Sequence, residues 1–233
     1  MAIEDARQVS PTLDRIRRDH LERYRFAAGF IPDGAAVLDA ACGIGYGSWM
    51  LAELAHPRAV IGVDISTQAI GYGVHHYPHP RVALVRADLL KLDLGDQRFD
   101  VIVSFETVEH VYEDRAFLTR LRHALAPGGT LIVSTPNQDV MPFDPVYYAQ
   151  HVRHYASGEF TDLLTACGLA VVSAHTQANR DTGDIAPGFG GAFDIAVCRS
   201  AAAFDDCWTS SHLWDVAVSG FMDDWAVVSG MMT

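Results

Sequence analysis

Lysine is nearly absent from this chain. Of its 17 basic residues 16 are arginine, Lys91 being the exception, and 29 acids bring the formal net charge to −12. A chain this acidic lacks the basic footprint that a phosphate backbone requires, so nucleic acid is not expected as a partner. No run of about 18 uninterrupted apolar residues occurs, so no membrane span is expected. Cysteine is scarce. Cys42, Cys167, Cys198 and Cys207 form no Cys-x-x-Cys pair, which argues against a zinc ribbon or a redox couple. Cys42 and Cys198 stand in apolar runs and read as small core residues. Met1-Ala2-Ile3-Glu4-Asp5 offers no basic segment leading into an apolar one, so no secretory signal is expected. The expectation from these absences is a reduced, cytoplasmic protein.

What is present suffices for one core. The 233 residues are 49% hydrophobic and 20% charged, ordinary for an α/β domain. The most informative stretch is Val37-Leu38-Asp39-Ala40-Ala41-Cys42-Gly43-Ile44-Gly45-Tyr46-Gly47-Ser48. A short apolar run meets an acid, three glycines alternate, and a helical pattern follows. A first strand, a tight turn and a first helix read this way in nucleotide-binding α/β folds. Glycine there permits positive φ and lets backbone approach a ligand. A dinucleotide fingerprint would put its third glycine where Ser48 stands. Asp39, four residues before Gly43, suits a cationic ligand better than a pyrophosphate.

The rest of the chain alternates in the same manner. Leu13, Ile16, His20, Tyr24 and Ala27 recur at helical spacing and predict a helix over 12–31, with Arg15, Arg17, Arg18 and Arg25 on its solvated faces. A buried strand over 59–64 ends in Asp64, 21 residues after Gly43, where an acid accepts from ribose hydroxyls. Ser66 caps a helix to about Val74. His75, His76 and His79 read as a surface loop, since adjacent His among prolines lack the spacing of a helical metal site. Strands follow over 82–88, ending in Asp88, and over 99–106, ending in Glu106. A helix over 115–126 is stopped by Pro127-Gly128-Gly129, and a strand covers 130–135. Residues 138–156 are long for a connection and read as a lid rich in aromatics and histidine. Ser157 caps a helix. Strands over 169–174 and 192–199 close the pattern, joined by a Gly-Pro loop.

These stretches together resemble the class I S-adenosylmethionine-dependent methyltransferases. Residues 37–48 are similar to their motif I. The Glu106-x-x-Glu109-His110 segment and Leu125-Ala126-Pro127-Gly128-Gly129-Thr130-Leu131 are similar to segments after their fourth strand and before their fifth. Glu22-Arg23-Tyr24-Arg25-Phe26-Ala27 and His151-Val152-Arg153-His154-Tyr155 look like a subset tied to glycan and natural-product pathways. The resemblance covers roughly residues 20 to 199. It implies a Rossmann-like, seven-stranded, mostly parallel sheet with helices on both faces and an antiparallel last strand. It implies S-adenosylmethionine as cofactor, held by Tyr24 at the methionine end, Asp39, Gly43 and Gly45 in the glycine turn, Asp64 and Ile65 at the ribose, Asp88 and Leu89 at the adenine, and Phe105 and Glu106 at the ammonium. His110, His151 and His154 are the candidates for a catalytic base. No resident metal is expected.

The segments read as an N-terminal helical piece over the cofactor mouth (1–32), the cofactor-binding domain (33–199) and an aromatic extension (200–233). The extension has no Lys or Arg but five Asp and three Trp. Packing on the domain, a contact between two copies and a pocket lid all stay open for it. The expected reaction is methylation of a small molecule, first an oxygen of a sugar or natural product, then a nitrogen of an aminosugar or amine. A cofactor-binding assembly partner without turnover is the alternative of a different class, and a nicotinamide oxidoreductase fits Ser48 and Asp39 worst.

Overall fold

The computed structural model describes residues 9–92 and 97–201. The elements run α1 (Arg18–Ala28), β1 (Ala36–Ala40), α2 (Tyr46–Ala55), β2 (Ala59–Asp64), α3 (Thr67–His76), β3 (Val82–Arg86), β4 (Phe99–Phe105), α4 (Asp114–His123), β5 (Leu125–Pro136), α5 (Ser157–Ala166), β6 (Leu169–Gln177), β7 (Ile185–Pro187) and β8 (Phe193–Ser200). The strands form one sheet in the order β3-β2-β1-β4-β5-β8-β6-β7. β3, β2, β1, β4 and β5 pair in parallel, and β8 runs antiparallel between β5 and β6.

Both faces of the central strands are buried, because successive residues point to opposite sides. Leu131 and Val133 of β5 pack with Leu118 and Leu121 of α4 and Phe160 and Leu164 of α5. Ile132 between them points the other way, into the layer of Ala27 from α1 and Met50 and Leu51 from α2. α1 is therefore part of the main core. Each buried Leu or Phe removes enough apolar surface for roughly 1.5–3 kcal/mol.

Several expectations need correction. The helix expected over 12–31 is a short 3-10 turn, Leu13–Arg15, then an extended break at Ile16, then α1; the break lets Ile16 bury itself. His75 and His76 belong to the last turn of α3, since the Ser66 cap, accepting from Ala69 N at 3.2 Å, starts a helix that runs past Val74. Ser157 opens α5 and does not cap it. The Ala156 N–H is taken by the Glu159 carboxylate at 3.0 Å, and the Ser157 hydroxyl donates to Asp194 at 2.6 Å. Pro127-Gly128-Gly129 does not end α4, which stops at His123; it makes an irregularity within β5, between the pairings of Phe99 with Leu125 and Val101 with Thr130. A Cβ on Gly129 would come within 2.9 Å of Ala126 O and 3.0 Å of Phe99 O. The sheet carries an eighth strand, since the Gly-Pro loop contributes β7 as an edge pairing on β6; Pro187 is tolerated there because an edge leaves one side of the strand unpaired.

Candidate functional site

Parallel strands that share a sheet carry their ligand sites beyond their carboxyl ends. There a cleft of about 630 Å³ opens, lined among others by Tyr24, Gly43, Asp64, Asp88, Glu106 and His110. Its volume falls within the roughly 300–1,000 Å³ of small-molecule sites.

The glycine turn builds the floor. Ala41 and Cys42 donate their N–H groups to Val63 O at 2.8 and 3.0 Å, and Gly43 donates to Asp64 Oδ2 at 2.9 Å. Asp64 Oδ1 also accepts from Ser66 N at 2.8 Å, so two backbone donors fix the carboxylate. The glycines serve different ends. Gly43, at φ +58°, has open space where a side chain would start, while a Cβ on Gly47 would lie 1.9 Å from the Tyr24 ring. Gly45, at φ +78°, keeps clear of Leu84 and does not line the cleft, contrary to its expected place beside the ligand.

Asp39 also needs relocation. It is almost fully buried and does not line the cleft. Tyr24 and Ser48 donate their hydroxyls to its two oxygens at 3.2 and 2.7 Å. Burial pushes its carboxyl up to about 7, against the pull of the Ser48 and Tyr24 hydrogen bonds. Turned inward, the carboxylate holds Tyr24, whose ring stands edge-on to Tyr46 and Phe105 and does reach the cleft.

Ile65, Asp88, Leu89, Phe105 and Glu106 all line the cleft, as expected. Asp88 lies below the usual carboxylate range, first because Leu90 donates its N–H at 3.0 Å and then because of Lys91 at 3.2 Å. Glu106 adopts φ +50°, a left-handed turn that costs a non-glycine residue about 1–2 kcal/mol. Its N–H reaches Ser134 Oγ at 3.2 Å and its Oε1 accepts from the same hydroxyl at 2.8 Å.

Of the three histidines, His110 and His151 line the cleft and His154 stands behind them. His151 Nδ1 meets His154 Nε2 at 2.7 Å, and His154 Nδ1 meets Met141 O at 2.6 Å. Burial, then His110 and His154, press His151 down to about 4, and burial lowers His154 as well. Glu109 is wholly buried, and burial, then Glu106, holds its carboxyl well above the usual range.

Sequence reasoning did not assign site roles to Arg17, His20 or Tyr46, which also line the cleft. Arg17 and His20 lie at the start of α1 outside any motif, and Tyr46 stands inside the glycine stretch, where only the glycines drew attention. Arg23 also lines the cleft although almost wholly buried, donating to Gln177 Oε1 at 2.6 Å and to Asp19 at 3.4 Å, with Glu106 at 3.9 Å.

Comparison with known proteins gives a concordant result. A family model described as a methyltransferase domain matches residues 37–129. A probable S-adenosylmethionine-dependent methyltransferase of Mycolicibacterium smegmatis is 32% identical over 191 residues, 79% of this chain and 71% of that protein. A phthiotriol/phenolphthiotriol dimycocerosates methyltransferase of Mycobacterium ulcerans is 31% identical over 150 residues, 63% of this chain and 55% of that protein. Among solved structures, the CcbJ methyltransferase of Streptomyces caelestis aligns with a TM-score of 0.65 at 22% identity, over 79% of this chain and 90% of that one. That last likeness is one of fold.

Proposed function

This chain belongs to the S-adenosylmethionine-dependent methyltransferases, and on that premise we propose that it methylates a hydroxyl of a small molecule, a sugar or natural product. S-adenosylmethionine supplies an electrophilic methyl on a sulfonium, transferred by direct displacement. The residues present fit that cofactor. The cleft wall is rich in carboxylates (Asp64, Asp88, Glu106), which suits a ligand bearing an ammonium and a sulfonium, and Gly43 leaves the floor open.

In this reading Asp64, beside Ile65, holds the ribose hydroxyls. A carboxylate accepts more than two donors, so its bonds to Gly43 and Ser66 orient it for the purpose. Asp88, kept ionised, takes the adenine amine, and Leu89 offers its N–H to the ring. The Phe105 carbonyl and Glu106 face the ammonium, with Tyr24 at the same end. Asp39 and Gly45 act as positioning residues, one holding Tyr24 and Ser48, the other making room for Leu84.

The observation that carries the hydroxyl acceptor is the histidine wall. A neutral amine needs no base to attack a methyl group, whereas a hydroxyl must lose a proton. His110 and His151 face the cleft, and His154 orients His151. The relative named for phthiotriol and phenolphthiotriol dimycocerosates supports an acceptor that is not a macromolecule.

The test is turnover on a panel of hydroxyl acceptors and their amino counterparts, read by S-adenosylhomocysteine release. Hydroxyl turnover should fall about 10²–10⁴-fold in His110→Ala or His151→Ala, the usual worth of general-base catalysis, with S-adenosylhomocysteine affinity held. Preference for the amines, undiminished in those variants, would overturn the hydroxyl reading.

A further inference from the structure

Glu109, His110 and His151 each bring one ligand-type atom into a group whose members lie within 4.8 Å of one another. All three line the cleft. Glu109 and His110 come from the 3-10 turn Val108–His110 after β4, and His151 from the long loop after β5. The loop is pinned in place, for Val152 donates its N–H to Glu109 O at 2.7 Å. The burial is graded, with Glu109 at the bottom, His151 half-buried and His110 exposed at the rim.

A second observation is independent of that cluster. Glu109 has no measurable exposure, and its Oε1 has no hydrogen-bond partner among the described residues. Its Oε2 has Thr135 at a long 3.4 Å. A buried carboxylate oxygen without a donor has lost its hydration with nothing in exchange. A cation in the cleft offsets that loss.

The hydrogen bonds also settle the tautomers. A backbone carbonyl only accepts. His110 Nδ1, 2.8 Å from Gln150 O, must therefore carry a proton, and so must His154 Nδ1 against Met141 O. Neutral His154 then accepts at Nε2, so the His151 Nδ1–H donates to it. His110 and His151 are each left with an Nε2 lone pair. Ligating histidines commonly donate their other N–H to a carbonyl or similar group, which is the arrangement found on both rings.

We propose that Glu109, His110 and His151 bind a first-row divalent cation with open coordination positions facing the methyl acceptor. Two imidazoles and one carboxylate are a donor set typical of such sites. Ligands of a tetrahedral ion at about 2.0–2.1 Å lie roughly 3.3 Å apart, so modest side-chain rotations, easiest for exposed His110, complete the site. The cation binds the acceptor's hydroxyl oxygen, whose proton passes to water. That oxygen bonds to the methyl carbon as the carbon–sulfur bond breaks, its electron pair staying on sulfur. With the cation bound, it replaces the histidines as the group that makes the hydroxyl nucleophilic; this role rests on the hydroxyl-acceptor reading, and the binding itself does not.

The test uses the full chain, stripped with chelator and titrated with Co²⁺ under calorimetry and visible absorption. The expected result is one equivalent of Co²⁺ with ligand-field bands. Affinity should fall at least tenfold in Glu109→Gln and His151→Ala, and about 10–100-fold in His154→Ala, which touches no metal. Thermal melts and S-adenosylhomocysteine titrations run on the same samples. If Glu109→Gln does not fold, His110→Ala at the rim carries the test. Absence of bands, or Co²⁺ affinity unchanged in the folded histidine variants, would overturn the metal site. S-adenosylhomocysteine binding intact in that case would leave the methyltransferase reading standing.

Discussion

Single residues in this protein hold more than one element at once. Gly47 is small so that Tyr24, from another helix, can lie against it. Gly47→Ala should cost about 1–3 kcal/mol by overpacking, read as a lower urea midpoint. Gly43→Ala meets no neighbour but keeps φ +58°; it should cost about 1–2 kcal/mol and weaken S-adenosylhomocysteine binding, since its new methyl enters the cleft. Calorimetry on both variants separates the two effects. Asp39 makes a prediction in pH. Its folded value, about 7, stands above the ordinary 3.8, so the folded state binds more protons between these values. Its contribution is full below pH ~4 and is lost as pH rises towards 7, and the slope is negative. Buried Glu109, also raised, adds the same sign. In Asp39→Asn, stability measured by denaturant at pH 4 and at pH 7 should differ less than in the parent.

At the level of elements, α1 is fastened to β6 by a buried polar cluster. Arg23 lies at 1% exposure between Asp19, Gln177 and Glu106. Gln177 in turn donates to Asp19 O and Gly183 O, at 3.0 and 2.8 Å. Removing one member strands buried charge, so Arg23→Ala should cost about 3–5 kcal/mol in chemical denaturation, more than Arg25→Ala on the exposed face. This cluster also shows where the sequence was legible. β1, β2 and β4 were readable because each is a largely apolar, buried run with an acid at or near its carboxyl end. Asp64 came with β2 as its last residue, while Asp88 and Glu106 fall just past the ends of β3 and β4. Asp39 looked like a ligand residue because spacing shows position along a strand and not the direction a carboxylate takes. The meeting of Glu109 with His151 was invisible, since loop closure over that distance leaves no periodic trace. The aromatic extension lies outside the described residues from position 202 onward.

For the whole molecule, the sheet is the unit of stability. β1, β4, β5 and β8 have a strand on either side, and most of their residues are buried. Amide exchange should be slowest there and fastest in β3 and β7 at the two edges, spanning the range from local to global opening. Slow exchange in β7 with fast exchange in β8 would contradict this order. The strand order has one more consequence. β8 is the last of the described strands along the chain yet sits between β5 and β6. During synthesis, β5 must wait with an open edge, and the β6–β7 pair has no place to dock, until Phe193–Ser200 has left the ribosome. A nascent chain halted before that point offers the apolar edge of Leu131–Pro136 to its neighbours, the kind of unpaired strand on which chains aggregate.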